Sequence, residues 1–200
     1  MRLVVSKQSL RLALRWVQRV LFAGAVAMLA WCGFVLGDAW VFQKQVRGQL
    51  ERQFVAPISL KTPPPAVCGD LIGRIEITRL GLSAMVIEGT DQKTLRRSVG
   101  HIPGTALPGQ SGNIGFSGHR DTFFRPLRNI RRNDVITVTT PFGEYCYRVV
   151  STGIVSPRDV AVLDPGKTEI LTLVTCYPFY FVGSAPDRFI VRAERIENSS

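Results

Sequence analysis

Glu169–Phe179 reads EILTLVTCYPF. Glu169–Thr175 is apolar or β-branched after its first residue and too short for an ordinary helix, so it predicts a buried strand. Pro178 stops it, because proline has no N–H to give to a sheet ladder. Cys176 therefore stands at the end of a rigid strand, at the rim of a sheet.

The same reasoning extends in both directions. Leu71–Ile77, Ala84–Glu88 and Asn113–Gly118 are short apolar strands, and Arg188–Ile196 is the last one. Val135–Thr139 and Tyr145–Ser156 flank the turn signal Pro141-Phe-Gly143 and read as a hairpin. Asp91–Arg97 reads as a helical turn capped by Asp91, and Phe123–Ile130 as a short helix capped by Asp121 or Thr122. About eight short strands separated by turn residues argue a small closed barrel. The expected fold is mainly β: a closed eight-stranded β-barrel with short helices, preceded by one N-terminal transmembrane helix.

That preceding helix comes from Val20–Gly37, an 18-residue run without charge between Arg19 and Asp38. At about 1.5 Å per residue it is long enough to span a bilayer, with Trp16 and Trp40 near its ends. Residues 1–19 carry five bases and no acid, so they should stay cytoplasmic and the rest should lie outside. A cleaved leader is the rival reading. Ala25-Val26-Ala27 looks like a cleavage site but sits inside the run, so an uncleaved signal-anchor is preferred. The expected organisation is 1–19 basic cytoplasmic segment, 20–37 transmembrane anchor, 38–68 juxtamembrane stalk with a Pro-rich linker at 61–66, and 69–200 folded β domain.

The net charge of +10 is uneven. Residues 70–200 hold 16 bases against 13 acids, so the domain itself is only mildly basic and no nucleic-acid partner is expected. Four cysteines and two histidines match no zinc spacing, so no metal is expected. Cys32 lies in the apolar run; Cys68 and Cys146 are either a disulfide or two free thiols.

A cysteine nucleophile needs an imidazole to manage its proton and a donor to face the oxyanion. His119 follows the strand Asn113–Gly118, and Arg188 opens the last strand. His101 is a weaker alternative in a loop-like run before Pro103-Gly104. Arg192, on the same face of the last strand as Arg188, is the alternative donor. Asp121 either orients His119 or caps the next helix, and the cap is preferred.

Taken together, Thr172-Leu-Val-Thr-Cys176, Gly118-His-Arg-Asp121 and Ala185-Pro-Asp-Arg-Phe189 resemble the sortase family, its class D branch most closely. His101–Gly109, Asp121–Arg128 and Tyr177-Pro-Phe179 also look like that family, and the likeness runs from about residue 70 to 196. The resemblance implies a cysteine transpeptidase with Cys176, His119 and Arg188 as its catalytic residues. Thr175, beside the nucleophile, is a candidate either to tune the thiol or to contact the peptide. Tyr177 and Ala185 are candidates if the loop Tyr177–Asp187 forms one wall of a substrate groove; the alternative is that it simply packs on the barrel. The implied partners are secreted proteins ending in an LPxTG- or LPxTA-like motif, and an amine acceptor from cell-wall peptide or a surface protein. No cofactor is implied. The alternative is a membrane-anchored cysteine peptidase that hydrolyses the same bond. Residues 56–70 hold no Asp-Pro-aromatic plug, which disfavours the lid of pilin-polymerising sortases.

Overall fold

A computed structural model of the chain describes residues 7–55, 67–181 and 183–196. The Pro-rich linker and nearly all of the stretch searched for a lid lie outside the described residues. Two compact units are present, Met1–Val41 and Phe42–Ser200.

The first unit is helical, formed by the N-terminal part of α1 (Lys7–Val55). Leu14–Phe34 is long and apolar enough to cross a membrane, and none of it is buried within the protein. Its 21 residues rise about 32 Å, against a hydrocarbon core of about 30 Å. Trp16, Leu21, Phe22, Met28, Leu29, Trp31 and Phe34 are all exposed, which lipid would satisfy and water would not.

The second unit is a closed barrel in the order β1-β2-β3-β4-β7-β8-β6-β5. Its strands are β1 (Leu71–Ile77), β2 (Leu82–Glu88), β3 (Val99–His101), β4 (Asn113–Ser117), β5 (Val135–Thr140), β6 (Gly143–Val155), β7 (Ile170–Tyr177) and β8 (Asp187–Arg195). The sequence pattern had not marked β3. Neighbours are antiparallel except β2 with β3 and β4 with β7, which are parallel. Alternating residues fill the interior: Ile75 and Ile77, Ile114 and Phe116, Ile136 and Val138, Leu171 and Leu173, Val191 and Ala193. Closure leaves no edge strand unpaired. The short helix α2 (Gln92–Arg97) is capped as expected, the Asp91 carboxylate accepting from the N–H groups of Lys93 and Thr94.

The end of α1 belongs to this unit and is packed rather than free. Val46 is buried against Met85 and Ile87, with Phe42 beside them. Gln43 spans a gap in the sheet: its Oε1 accepts from the Met85 N–H at 2.9 Å, and its Nε2 donates to the Arg97 carbonyl. β2 meets β3 only from Val86 onward, so Met85 has no strand partner on that side and the glutamine amide takes the place of one.

Asp134 fastens the far side. Its carboxylate takes both Nε and Nη2 of Arg79 at 2.5 Å and the Arg131 N–H at 2.7 Å. Arg79 also donates to the Asn129 carbonyl, so one bidentate pair joins the β1–β2 turn to the segment entering β5. The hydrogen bond from Arg79 holds the Asp134 carboxyl below the usual carboxylate range. A lowered folded-state pKa stabilises fully above the unfolded value of about 4 and is lost as pH falls through the folded value. Asp134→Asn should therefore lower stability at neutral pH and flatten the acid limb of the stability curve below about pH 4. Denaturant melts of both proteins from pH 7 down to pH 2 check this; parallel acid limbs would refute it.

Candidate active site

Strand topology brings the predicted residues together. β4 and β7 run parallel, with Ser117 opposite Val174. His119 and Cys176 each lie two residues beyond that pair, so they leave the sheet at the same rim. β8 returns antiparallel to β7 and sets Arg188 directly opposite Cys176. Directly paired residues share a face, with Cβ atoms about 5 Å apart. Three side chains distant in sequence thus line one cavity of about 300 Å³, together with Arg120, Asp121 and Gly183–Ala185. Cys176 is half-buried and His119 exposed, so both are reachable from solvent. Arg188 donates from Nη1 to the carbonyls of Ala185 and Asp187, which leaves the rest of its guanidinium for a ligand.

Neighbouring residues fix these positions. The Phe124 ring packs over Gly118, where a Cβ would approach it to 2.8 Å. The turn after His119 closes on the His119 carbonyl, which accepts from the Phe124 N–H at 3.1 Å. Thr175 is buried and donates to the Gly118 carbonyl at 2.7 Å, joining β7 to the segment that carries His119. Asn113, at the start of β4, accepts from the Thr172 hydroxyl and donates to the carbonyls of Val162 and Asp164. It thereby ties the β6–β7 connection to the barrel. Sequence reasoning gave no role to Asn113 or to Arg120; a polar residue at a strand end and an arginine inside a motif were the only signals.

Other candidates fall elsewhere. Alternation along β7 puts Thr175 and Tyr177 on the opposite face from Cys176, so neither lines the cavity, whereas Ala185 does. Tyr177 stacks on Phe189 and meets Phe179 edge-on. Arg192 pairs with Thr172, further down the barrel than the rim. His101 is 2% exposed on β3 and is held by Glu88 through Nδ1 and by the Ala106 carbonyl through Nε2. Asp121 does not cap the following 3-10 turn, Arg125–Asn129, which begins after Phe124 without a side-chain cap. The chain is still turning back on His119 at that point, and the Asp121 carboxylate meets Arg120 instead. Cys68 and Cys146 are free thiols.

A closed barrel with a thiol, an imidazole and a guanidinium on one rim defines a cysteine-centred class of β-barrel domain. Within that class the chain belongs to the sortase family, whose Sortase domain model matches residues 75–196. It is similar to Sortase D of Bacillus subtilis (strain 168), 36% identical over 129 residues that cover 64% of this chain and 65% of that protein. The chain thus spans just under two thirds of that relative's length. Sortase SrtE1 of Streptomyces coelicolor (strain ATCC BAA-471 / A3(2) / M145) is 32% identical over 142 residues, covering 62% of this chain and 40% of that one. Among solved structures, a Clostridium perfringens Sortase D5 transpeptidase superposes with a TM-score of 0.70 at 28% identity, covering 78% of this chain and 99% of that one.

Proposed function

We propose that the chain is a membrane-anchored cysteine transpeptidase whose catalytic residues are Cys176, His119 and Arg188. The observation that supports this most is that these three side chains share one solvent-reachable cavity at the rim where β4, β7 and β8 meet. The substrate is a secreted protein carrying a C-terminal LPxTG- or LPxTA-like motif in extended form. His119 takes the Cys176 thiol proton, the sulfur attacks the carbonyl carbon of the scissile peptide bond, and Arg188 faces the oxyanion that forms. Collapse of that adduct breaks the C–N bond, and the departing amine takes its proton from His119. The product is a thioester on Cys176. An incoming amine attacks the thioester carbonyl, His119 accepts its proton, and Cys176 leaves as thiolate. One peptide bond is broken and one amide formed, so no oxidant, reductant or cofactor is consumed.

The anchor is the apolar run 20–37, most of which lies in the membrane-length stretch Leu14–Phe34, with the basic residues 1–19 cytoplasmic and the barrel on the other side of the membrane, where sorting substrates emerge. A juxtamembrane stretch and linker over 38–68, the former docked on β2 through Phe42, Gln43 and Val46, ahead of a catalytic domain at 69–200 fits this arrangement, as does an acceptor from the cell-wall peptide or a surface protein. The test uses the whole chain in detergent micelles, a labelled sorting-motif peptide, and either a glycine-based or a diaminopimelate-like amine. The expected product is the amide joining peptide and amine, identified by mass. Release of free acid alone would make the protein a hydrolytic peptidase. An uncleaved peptide under every acceptor would sink both readings.

A further inference from the structure

Among the described residues Arg120 is the one strongly buried arginine beside the site, 6% exposed although it carries a full charge. A buried guanidinium requires partners for its five N–H donors. Its Nη1 donates to the Pro178 carbonyl at 2.6 Å, and its Nη2 to the carbonyls of Phe181 and Gly183. Nε meets Asp121 at 3.4 Å. All three carbonyls belong to the β7–β8 connection, between the strand that ends at Cys176 and the strand that opens at Arg188.

Among the described residues that connection has a single backbone hydrogen bond of its own, Phe181 N–H to the Pro178 carbonyl at 3.3 Å. Outside support comes also from Arg128 on Tyr180, but Tyr180 is 79% exposed, and such surface pairs contribute little. Arg120, by contrast, makes charge-assisted bonds away from water. It also adjoins His119 in sequence and lines the same cavity as Gly183, Ser184 and Ala185.

We infer that Arg120 is a positioning residue: its guanidinium clamps the β7–β8 connection against the His119 turn and so sets the groove wall that receives the substrate peptide. This deepens the transpeptidase reading and rests on it for the peptide. Lysine cannot replace it, because one ammonium on a flexible stem does not reproduce a planar fork aimed at several carbonyls. The reacting groups themselves are untouched, so the defect falls on peptide binding rather than on chemistry.

The test compares R120K and R120A with the parent chain in micelles, read in two ways. Amide hydrogen exchange over residues 177–187 reports the clamp without any need for activity. Steady-state transfer of a sorting peptide reports the groove. Faster exchange confined to 177–187 is expected in both variants. In R120K, KM for the peptide should rise about ten-fold, the equivalent of roughly one charge-assisted hydrogen bond, with kcat little changed. Alkylation of Cys176 by iodoacetamide should keep its parental rate, because a small reagent needs no groove. Parental exchange in R120K, or a fall in kcat at unchanged KM, would overturn the clamp. If R120A fails to fold, R120K carries the test. If the parent chain transfers no peptide, the transpeptidase reading falls, while the exchange measurement still decides whether the clamp exists.

Discussion

Replacing Cys176 with alanine should abolish peptide transfer while leaving the barrel intact. The sulfur is the group that forms the covalent acyl intermediate in the proposed mechanism, and among the described residues it is the one thiol lining the cavity. Without it, Arg188 and the groove can bind the peptide and polarise its carbonyl, but no bond forms to carry the acyl group. Removing a covalent nucleophile from a comparable triad costs on the order of 10⁶ in turnover. Against that, the structural cost is small. Cys176 is half-buried at a strand end and faces the cavity rather than the packed interior, and substitutions at such positions stay within about 0.5 kcal/mol. The two effects separate cleanly in experiment. Intact-mass measurement after mixing with the sorting peptide should find an acyl adduct on the parent and none on Cys176→Ala, with superimposable thermal melts. An adduct that persists on the variant would move the nucleophile elsewhere, and Cys68 and Cys146 would be the thiols to examine.

What made this site legible was the coincidence of short motifs with strand ends. β7 was readable because Ile170–Thr175 is continuous, β-branched and stopped by Pro178. β8 and the β5–β6 hairpin were readable for similar local reasons. β3 was not: three residues with Gly100 at their centre have no measurable period, and only pairing with Val86–Glu88 on one side and Phe116–Ser117 on the other makes them a strand. That omission made His101 look like a loop residue, when it is a buried member of a hydrogen-bonded group. Arg120 was illegible for a different reason. Nothing local distinguishes an arginine that will be buried from one that will be solvated; its partners lie about sixty residues away in a loop. Asp121 misled because capping residues and turn residues share a composition, and here the turn took it. The packing of Phe42, Gln43 and Val46 on β2 was hidden too, since a charged amphipathic stretch next to an apolar run reads equally well as a solvated stalk.

The second large effect belongs to His119. In the proposed cycle it protonates the departing amine and deprotonates the incoming one, so both half-reactions lose a proton carrier in His119→Ala. General acid–base groups contribute roughly 10²–10⁴ each, and an amide leaving group lies at the demanding end because an unprotonated amine is a very poor leaving group. Turnover of the peptide should fall by about that factor. An ester analogue of the same sorting sequence with an acidic alcohol as leaving group needs no proton on departure, so on the ester His119→Ala should lose only the share of rate owed to thiol deprotonation, a smaller factor than on the amide. Cys176→Ala should remain silent on the same ester, because an activated leaving group cannot substitute for a missing nucleophile. His101→Ala supplies the contrast. His101 is 2% exposed and bonded to Glu88, so its loss strips a partner from a buried carboxylate and should lower the melting temperature, with no selective rescue by the ester. His119 is exposed, so its alanine variant should melt as the parent does. Equal failure of the His119 variant on ester and amide would remove it from proton transfer to the leaving group and confine it to deprotonating the thiol or holding the substrate.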